Sequence, residues 1–245
     1  MIISISGKAG HGKDTLGKMI QYWWEINKST SNMGTVYWAN SSVEEFLSNE
    51  YLQRNTHWDI KKFAGKLKEI ATMLTGIPIE KFEDQEFKKT YLGREWSSPV
   101  LGSDWVKGIY NQTSLMTVRD FLQKLGTDAM RFGLHQDVWV NALYADYNPI
   151  TYSDRGGWEY PDWIITDMRF DNEAQAGKKR DGISIRVTNP NIPAVEGEHI
   201  SERLLDNYTG FDFHIVNTGN CKELYQEVDK LCKQIFKEKQ NRLWI

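Results

Sequence analysis

"MIISISGKAGHGKDT", residues 1–15, runs from a short apolar segment into a glycine-rich turn and then into a helix signal. The apolar run stops at Gly7, as expected of a strand buried on both faces of a parallel sheet. From Asp14 onward Leu16, Met19, Ile20 and Trp23 recur at helical spacing. Strand, loop and helix therefore follow one another, and the loop carries Gly7, Ala9, Gly10, Gly12 and Lys13 at the spacing of a phosphate cradle. Backbone amides must converge on phosphate oxygens, and a Cβ at the glycines would obstruct them. The helix start aims its positive dipole end at the same point, and Lys13 supplies a point charge to the β and γ phosphates. A glycine-rich turn can match these letters by chance; the strand before it and the helix after it decide for nucleotide-phosphate binding.

Asp14 stands where many phosphate loops carry Ser or Thr. In motor and switch ATPases that hydroxyl ligates Mg²⁺ directly. Here the hydroxyl, Thr15, comes one residue later, an arrangement similar to that of nucleoside monophosphate kinases resembling adenylate kinase. The Asp thus marks a small-molecule kinase loop. A second buried strand supports this reading: "DWIITD" (162–167) ends in Asp167, the Walker B position that holds Mg²⁺, usually through water. ATP-hydrolysing machines commonly place Glu next to activate water, whereas this chain has Met168 and then Arg169. A base-reading Asn-Lys-x-Asp motif is missing too, since "NKST" (27–30) lacks the Asp. Arg169 beside the metal Asp suits charge stabilisation of a transferred phosphoryl group or grip on an acceptor phosphate.

Composition sets the bounds. A chain of 245 residues with 40% hydrophobic content and ten Trp builds a packed globule. A formal charge of −3 shows no bias toward nucleic acid or membrane, and the densest basic tract, "GKKR" (177–180), reads as a solvated helix end. The start lacks the features of a signal peptide and no apolar run approaches the roughly 20 residues of a membrane span, so a cytoplasmic protein is expected. Cys221 and Cys232 fall on one helix face about three turns apart, as buried thiols that cannot bond each other. Neither they nor the five His show zinc-ligand spacing.

Along the chain, "TVYWA" (35–39) reads as a weak strand. "FAGKLKEIATMLTG" (63–76) reads as a helix with Ala64, Leu67, Ile70, Ala71 and Leu74 on one face and a stop at Gly76. Residues 79–92 look helical and charged, while 93–116 and 148–161 look irregular, as lids or insertions do. Thr117 caps a helix from 118, a further helix covers about 136–147, and helices follow at "NEAQAGKKR" and near 200–206. "ISIRV" and "FHIV" are strands, and 220–238 is the cleanest amphipathic helix. Strands alternating with helices give an α/β fold: a doubly wound parallel sheet with helices on both faces.

These segments resemble the phage-type deoxynucleoside monophosphate kinases. The resemblance rests on "GKDT" (12–15), "FAGKLKE" (63–69), "VRDFLQKLGTD" (118–128), "VWVNAL" (138–143), "ITDMRFDNEA" (165–174), "HISE" (199–202) and "FDFHIVNTGN" (211–220). They run in family order over most of the chain and leave 40–60, 93–116 and 148–161 without counterpart. A similar loop and a similar "SE…LDNY…FD…I.N" tail occur in animal phosphomevalonate kinase. The resemblance implies a single P-loop kinase domain over 1–245, with a largely helical acceptor-binding region at about 41–147. It further implies ATP with Mg²⁺ as donor, a free deoxynucleoside monophosphate as acceptor, and a homodimer.

Carried over residue by residue, Arg119, Gly126, Thr127 and Trp139 line the acceptor pocket, joined by Asp167, Arg169 and Glu173. Lys13, Arg169 and Asp167 carry catalysis. Gly7, Ala9, Gly10, Gly12, Lys13, Asp14, Thr15 and Asn217 hold ATP, and Asp167, with Asp14 second, holds the metal. The chemistry suits these roles: Arg offers a planar fork to phosphate, a Gly-Thr turn offers donors, and Trp offers a stacking face. Plainer readings stay open beside them. Arg119 also reads as a surface residue, Trp139 as core, "GTD" as a helix stop and cap, and Glu173 as a charge at a helix start. His199–Glu202 reads as a local cap. Other acceptors also stay open, namely a hydroxymethylated base in DNA or a small phosphate ester, as does a non-kinase ATPase or switch.

Overall fold

The computed structural model describes residues 1–28, 41–96, 98–99, 113–152, 157–193 and 203–242. Its strands are β1 (Ile2–Ser6), β2 (Trp58–Lys61), β3 (Ser98–Pro99), β4 (Thr113–Ser114), β5 (Ile150–Tyr152), β6 (Gly157–Glu159), β7 (Asp162–Met168), β8 (Ile183–Thr188) and β9 (Phe213–Val216). Five of them form one sheet in the order β2-β7-β1-β8-β9. Every pairing in that sheet is parallel: Trp58 faces Asp162, Ile3 faces both Ile164 and Ile183, and Ile185 faces Phe213. The two short remaining pairs, β3–β4 and β5–β6, are antiparallel. The chain divides into two compact units, Met1–Lys62 with Ala145–Ile245, and Phe63–Tyr144.

In the first unit β1 is buried along its whole length, as an apolar strand at the centre of a parallel sheet must be. Ile3 and Ile5 share a core with Leu16, Met19, Ile20 and Trp23 of the helix Lys13–Lys28 and with Leu224, Val228, Leu231 and Ile235 of the helix Cys221–Arg242. Ile2 turns to the opposite face, under the loop after the helix Asp171–Lys178, where a Cβ on Gly182 would stand 3.2 Å from its own Cβ. Helices therefore cover both faces. The side chains Leu16, Met19, Ile20 and Trp23 are each at most 2% exposed, and each contributes about 1.5–3 kcal/mol of burial.

The second unit is helical. Beside the helix Val138–Tyr144 it has the helices Ala64–Thr75 and Val118–Gln123, which contribute Ala71, Val118 and Phe121 to a core shared with Phe82, and Trp96 lies edge-on to Phe121 at 4.9 Å. The first helix ends where expected, at Gly76 in left-handed conformation. Thr117 caps the second through a reciprocal pair with Asp120. One feature was not legible: Lys124–Phe132 winds as a nine-residue π-helix, so "GTD" continues the helix instead of ending it.

Several expectations need correction. Residues 79–92 form two 3-10 turns, Ile79–Phe82 and Phe87–Lys89, because the Asp84 carboxylate takes the amides of Glu86 and Phe87. The helix placed at 136–147 is confined to Val138–Tyr144, and the last helix reaches Arg242. Loop 148–161 contains the β5–β6 pair. On the helix Ala64–Thr75 the buried charge is Lys68, paired with Glu83, whereas Leu74 is half exposed. Cys221 is half-buried and only Cys232 is fully buried; both are free. The strand expected at 35–39 lies outside the described residues. So do residues 200–202 of the helix expected near 200–206, whose described part, 203–206, is a turn.

Close approach of helix and sheet generates a stability prediction. A Cβ on Gly17 would lie 2.6 Å from Thr166 Cγ2 and 3.2 Å from Ile164 Cγ2, whereas one on Gly65 would meet nothing within 4 Å. Gly17→Val should destabilise by about 1–3 kcal/mol through overpacking, and Gly65→Ala should be neutral or stabilising by up to about 1 kcal/mol. Denaturant titration of the two variants checks the contrast, and equal midpoints would contradict it.

Candidate phosphate-loop site

All strands of the main sheet point their carboxyl ends to one edge, which is where ligands bind in parallel α/β sheets. Ser6, Lys62, Asp167, Asn189 and Asn217 stand at or just past those ends. The loop between Ser6 and Lys13 bends through Gly10 and Gly12, both at positive φ, of 78° and 92°. Gly12 is irreplaceable on a second ground: a Cβ there would stand 2.4 Å from Asn217 Nδ2.

Hydrogen bonds within the protein brace the loop. Lys13 Nζ donates to the carbonyls of Gly7 (2.7 Å) and Lys8 (2.8 Å). Asn217 Nδ2 donates to the His11 carbonyl at 3.0 Å, while its Oδ1 accepts from Gly219 N at 2.9 Å. The expected ATP residue Asn217 is thus a buried brace beneath the loop. Lys8 and Arg186 both pair with Asp206, and Arg186 also donates to the Ser6 hydroxyl at 2.9 Å. Arg186 is buried in β8 beside the loop, and sequence reading missed it. An arginine at a strand position flanked by Ile185 and Val187 was the available signal.

Asp14 opens the helix and accepts from the Thr166 hydroxyl at 2.5 Å, with Lys62 Nζ at 3.4 Å. This bond ties the loop helix to β7. Burial would raise the Asp14 pKa, but Lys62, the Thr166 hydroxyl and Lys13 outweigh it and hold the carboxyl below its ordinary value. β7 carries one residue more than β1 there: Ser4 pairs with Ile165 but Ser6 with Met168. A bulge of this kind re-aims side chains, here at Thr166 and Asp167. Met168, where hydrolytic machines have Glu, is fully buried.

The acceptor residues distribute over both units. Arg169 and Glu173 follow Asp167 directly. Glu173 is 1% exposed, and its Oε2 accepts from the amides of Arg169 (2.8 Å) and Phe170 (3.2 Å). It therefore caps a helix and fixes the Arg169 backbone; it offers no carboxylate to solvent. In the second unit Arg119 is exposed and its guanidinium donates to Gln85 Oε1 at 3.2 Å. Gly126 and Thr127 lie in the π-helix. Trp139 is 4% exposed and its Nε1 donates to the Gly126 carbonyl at 2.9 Å, so the expected stacking platform is corrected to a core residue that holds the Gly-Thr segment. His199–Glu202 lies outside the described residues.

A parallel sheet, a glycine loop entering a helix, and an acid closing the neighbouring strand define the P-loop kinase class. Residues 88–228 match the family model described as deoxynucleotide monophosphate kinase, and this covers more than half of the chain. The chain belongs to that family. It is similar to deoxynucleoside-5'-monophosphate kinase of Escherichia phage T5, with 22% identity over 241 residues covering 86% of this chain and 92% of that protein. The deoxynucleotide monophosphate kinase of Enterobacteria phage T4 is 29% identical over 131 residues, covering 54% of this chain and 50% of that protein. That of Escherichia phage RB69 is 27% identical over 127 residues, covering 52% and 49%. The matched stretch is thus about half the length of the T4 and RB69 proteins. Among the described residues no helix is long and apolar enough to cross a membrane.

The Asp14 environment gives a pH prediction. A carboxyl held below its ordinary value lends stability that is complete above that value and lost as pH falls through the native one. Asp14→Asn should therefore flatten part of the acid-side fall in melting temperature between about pH 5 and 2. Identical profiles for the variant and the parent protein would contradict it.

Proposed function

We propose that this chain transfers the γ-phosphoryl group of ATP to the phosphate of a free deoxynucleoside monophosphate, releasing ADP and the deoxynucleoside diphosphate. The single supporting observation is the preformed loop, whose Lys13 ammonium rests on the Gly7 and Lys8 carbonyls at 2.7 and 2.8 Å. A phosphate entering the cradle offers that ammonium stronger, anionic acceptors, so Lys13 moves from loop carbonyls to the β and γ oxygens. Amides of Ala9, Gly10, Gly12, Asp14 and Thr15 contribute the remaining neutral donors.

The acceptor phosphate is already an anion and needs no general base. Positioning and charge neutralisation suffice for this chemistry. We assign charge stabilisation of the transferred group to Arg169, whose backbone Glu173 holds. Acceptor recognition is assigned to Arg119, Gly126 and Thr127, with Trp139 fixing the Gly126 carbonyl. Family membership supports this assignment, as does the absence of an activating Glu at the buried position of Met168.

The residues also fit Mg²⁺. Asp14, Thr15 and Asp167 provide hard oxygen donors, and a metal shared with substrate phosphates takes only one or two protein carboxylates. Asp167 would hold it through water with Asp14 as second carboxylate, and when bound it neutralises charge on the β and γ phosphates. A homodimer and a cytoplasmic location, in a host cell if the gene is phage-borne, complete the proposal on the strength of the resemblance.

The test is transfer of label from γ-labelled ATP to a panel of deoxynucleoside monophosphates, with a no-acceptor control and duplex DNA carrying hydroxymethylated bases. Label should appear in at least one diphosphate, and Lys13→Ala should abolish it while circular dichroism stays unchanged. Label confined to DNA, or ATP turnover independent of acceptor, would overturn the proposal. Arg169→Ala should cost about ten- to a thousandfold in kcat/KM for the monophosphate, with ATP binding almost unmoved. A loss of ATP binding instead would place Arg169 on the donor.

A further inference from the structure

The side chain of His11, in the middle of the phosphate loop, is buried in the protein. It is 8% exposed. Its Nδ1 accepts the Asn189 backbone N–H at 3.2 Å. Asn189 follows directly on the carboxyl end of β8 at Thr188. The main chain of His11 is equally engaged: its N–H donates to the Lys8 carbonyl at 3.2 Å and its carbonyl receives Asn217 Nδ2 at 3.0 Å. One residue thus ties the loop to the turn after β8 through its ring and to the turn after β9 through its carbonyl.

The proton inventory of the ring is strict. The Asn189 N–H needs an acceptor, and only a neutral imidazole with its proton on Nε2 offers one at Nδ1. An imidazolium would set a second N–H against the Asn189 amide. The charged groups facing the ring are Lys13, Arg186 and Lys8, all cationic. Burial holds the imidazole below its ordinary value; the Val187 carbonyl works the other way, and the three cations add to the lowering. Both the lowering and the Asn189 N–H favour the neutral ring.

We propose that His11 is a positioning residue of the donor site, its neutral ring holding the phosphate loop in register with the end of β8 so that the loop amides meet the donor phosphates. Resting as it does on the phosphoryl-transfer reading, this assignment differs from it in what it controls. It concerns how well the loop holds ATP and leaves the acceptor untouched. Leu removes the ring bond at similar volume and strands the Asn189 N–H, a loss that corresponds to about ten- to a hundredfold in ATP affinity. Asn restores one acceptor and one donor on a shorter side chain that cannot take a proton.

The experiment compares parent, His11→Leu and His11→Asn for ATP KM, acceptor KM and kcat between pH 5.5 and 8.5, with melting curves to confirm folding and ATP binding by calorimetry. His11→Leu should raise ATP KM about ten- to a hundredfold and leave acceptor KM unchanged, and His11→Asn should recover most of that loss. On the acid side of the ordinary His value the parent's ATP KM should climb more steeply than that of His11→Asn, in which only the ATP phosphates titrate. An unaltered ATP KM in His11→Leu, an Asn variant no better than Leu, or the same acid climb in His11→Asn would each overturn the assignment. Should the parent bind ATP but transfer nothing to any monophosphate, the function proposal fails alone, and calorimetry on the two variants still decides for His11.

Discussion

A single carboxamide, that of Asn217, sits under the phosphate loop and holds its shape. Its Nδ2 fills the space that a Cβ on Gly12 would need and donates to the His11 carbonyl, while its Oδ1 is taken by Gly219 and its backbone N–H by Thr188. Both the nitrogen and the oxygen of the group are thus bonded within the protein. The loop is held from below by the turn after β9 and from the side by the end of β8, and on the proposed reading the Lys13 ammonium changes partners when phosphate binds. Preorganisation of this kind lowers the cost of aligning donors at the moment of reaction.

Charge around the loop is balanced in the same spirit. Lys8 and Arg186 share Asp206, and Asp14 faces Lys62. Cations gathered for a polyphosphate would repel one another in its absence, and these carboxylates offset that repulsion. The parallel sheet makes the gathering possible, because all its carboxyl ends lie at one edge. The bulge at Thr166 and Asp167 then turns the Walker B segment so that Thr166 reaches Asp14 and fastens the loop helix to the neighbouring strand.

Much of this was legible in the sequence because the signals were local. The strand–loop–helix start, the apolar runs of β7 and β8, the Gly76 stop and the Thr117 cap each depend on a few adjacent residues. β2 was not legible: in "WDIK" only Trp58 is fully buried, and the pairing with β7 comes from a segment more than a hundred residues away. The π-helix at Lys124–Phe132 escaped because its apolar spacing over nine residues scarcely differs from that of an α-helix. For Trp139 and Glu173 the ligand-contact reading stood beside a core and a helix-start reading, since residue type alone does not show burial. Folding turned both inward, so that they act on Gly126 and on the Arg169 backbone. His11 and Arg186 were passed over because their partners, Asn189 and Asp206, lie at a distance that only the fold closes.

The claim that the loop is rigidly pre-built is tested most directly by calorimetric titration of Gly12→Ala with ATP, alongside its melting curve. The methyl group has no room beside Asn217 Nδ2, and the left-handed backbone adds strain of about 1–2 kcal/mol. A rigid loop predicts that ATP affinity falls at least about tenfold while the melting temperature drops by only a few degrees. Parent-like ATP affinity in Gly12→Ala would show that the loop adapts freely and that Asn217 does not fix its shape.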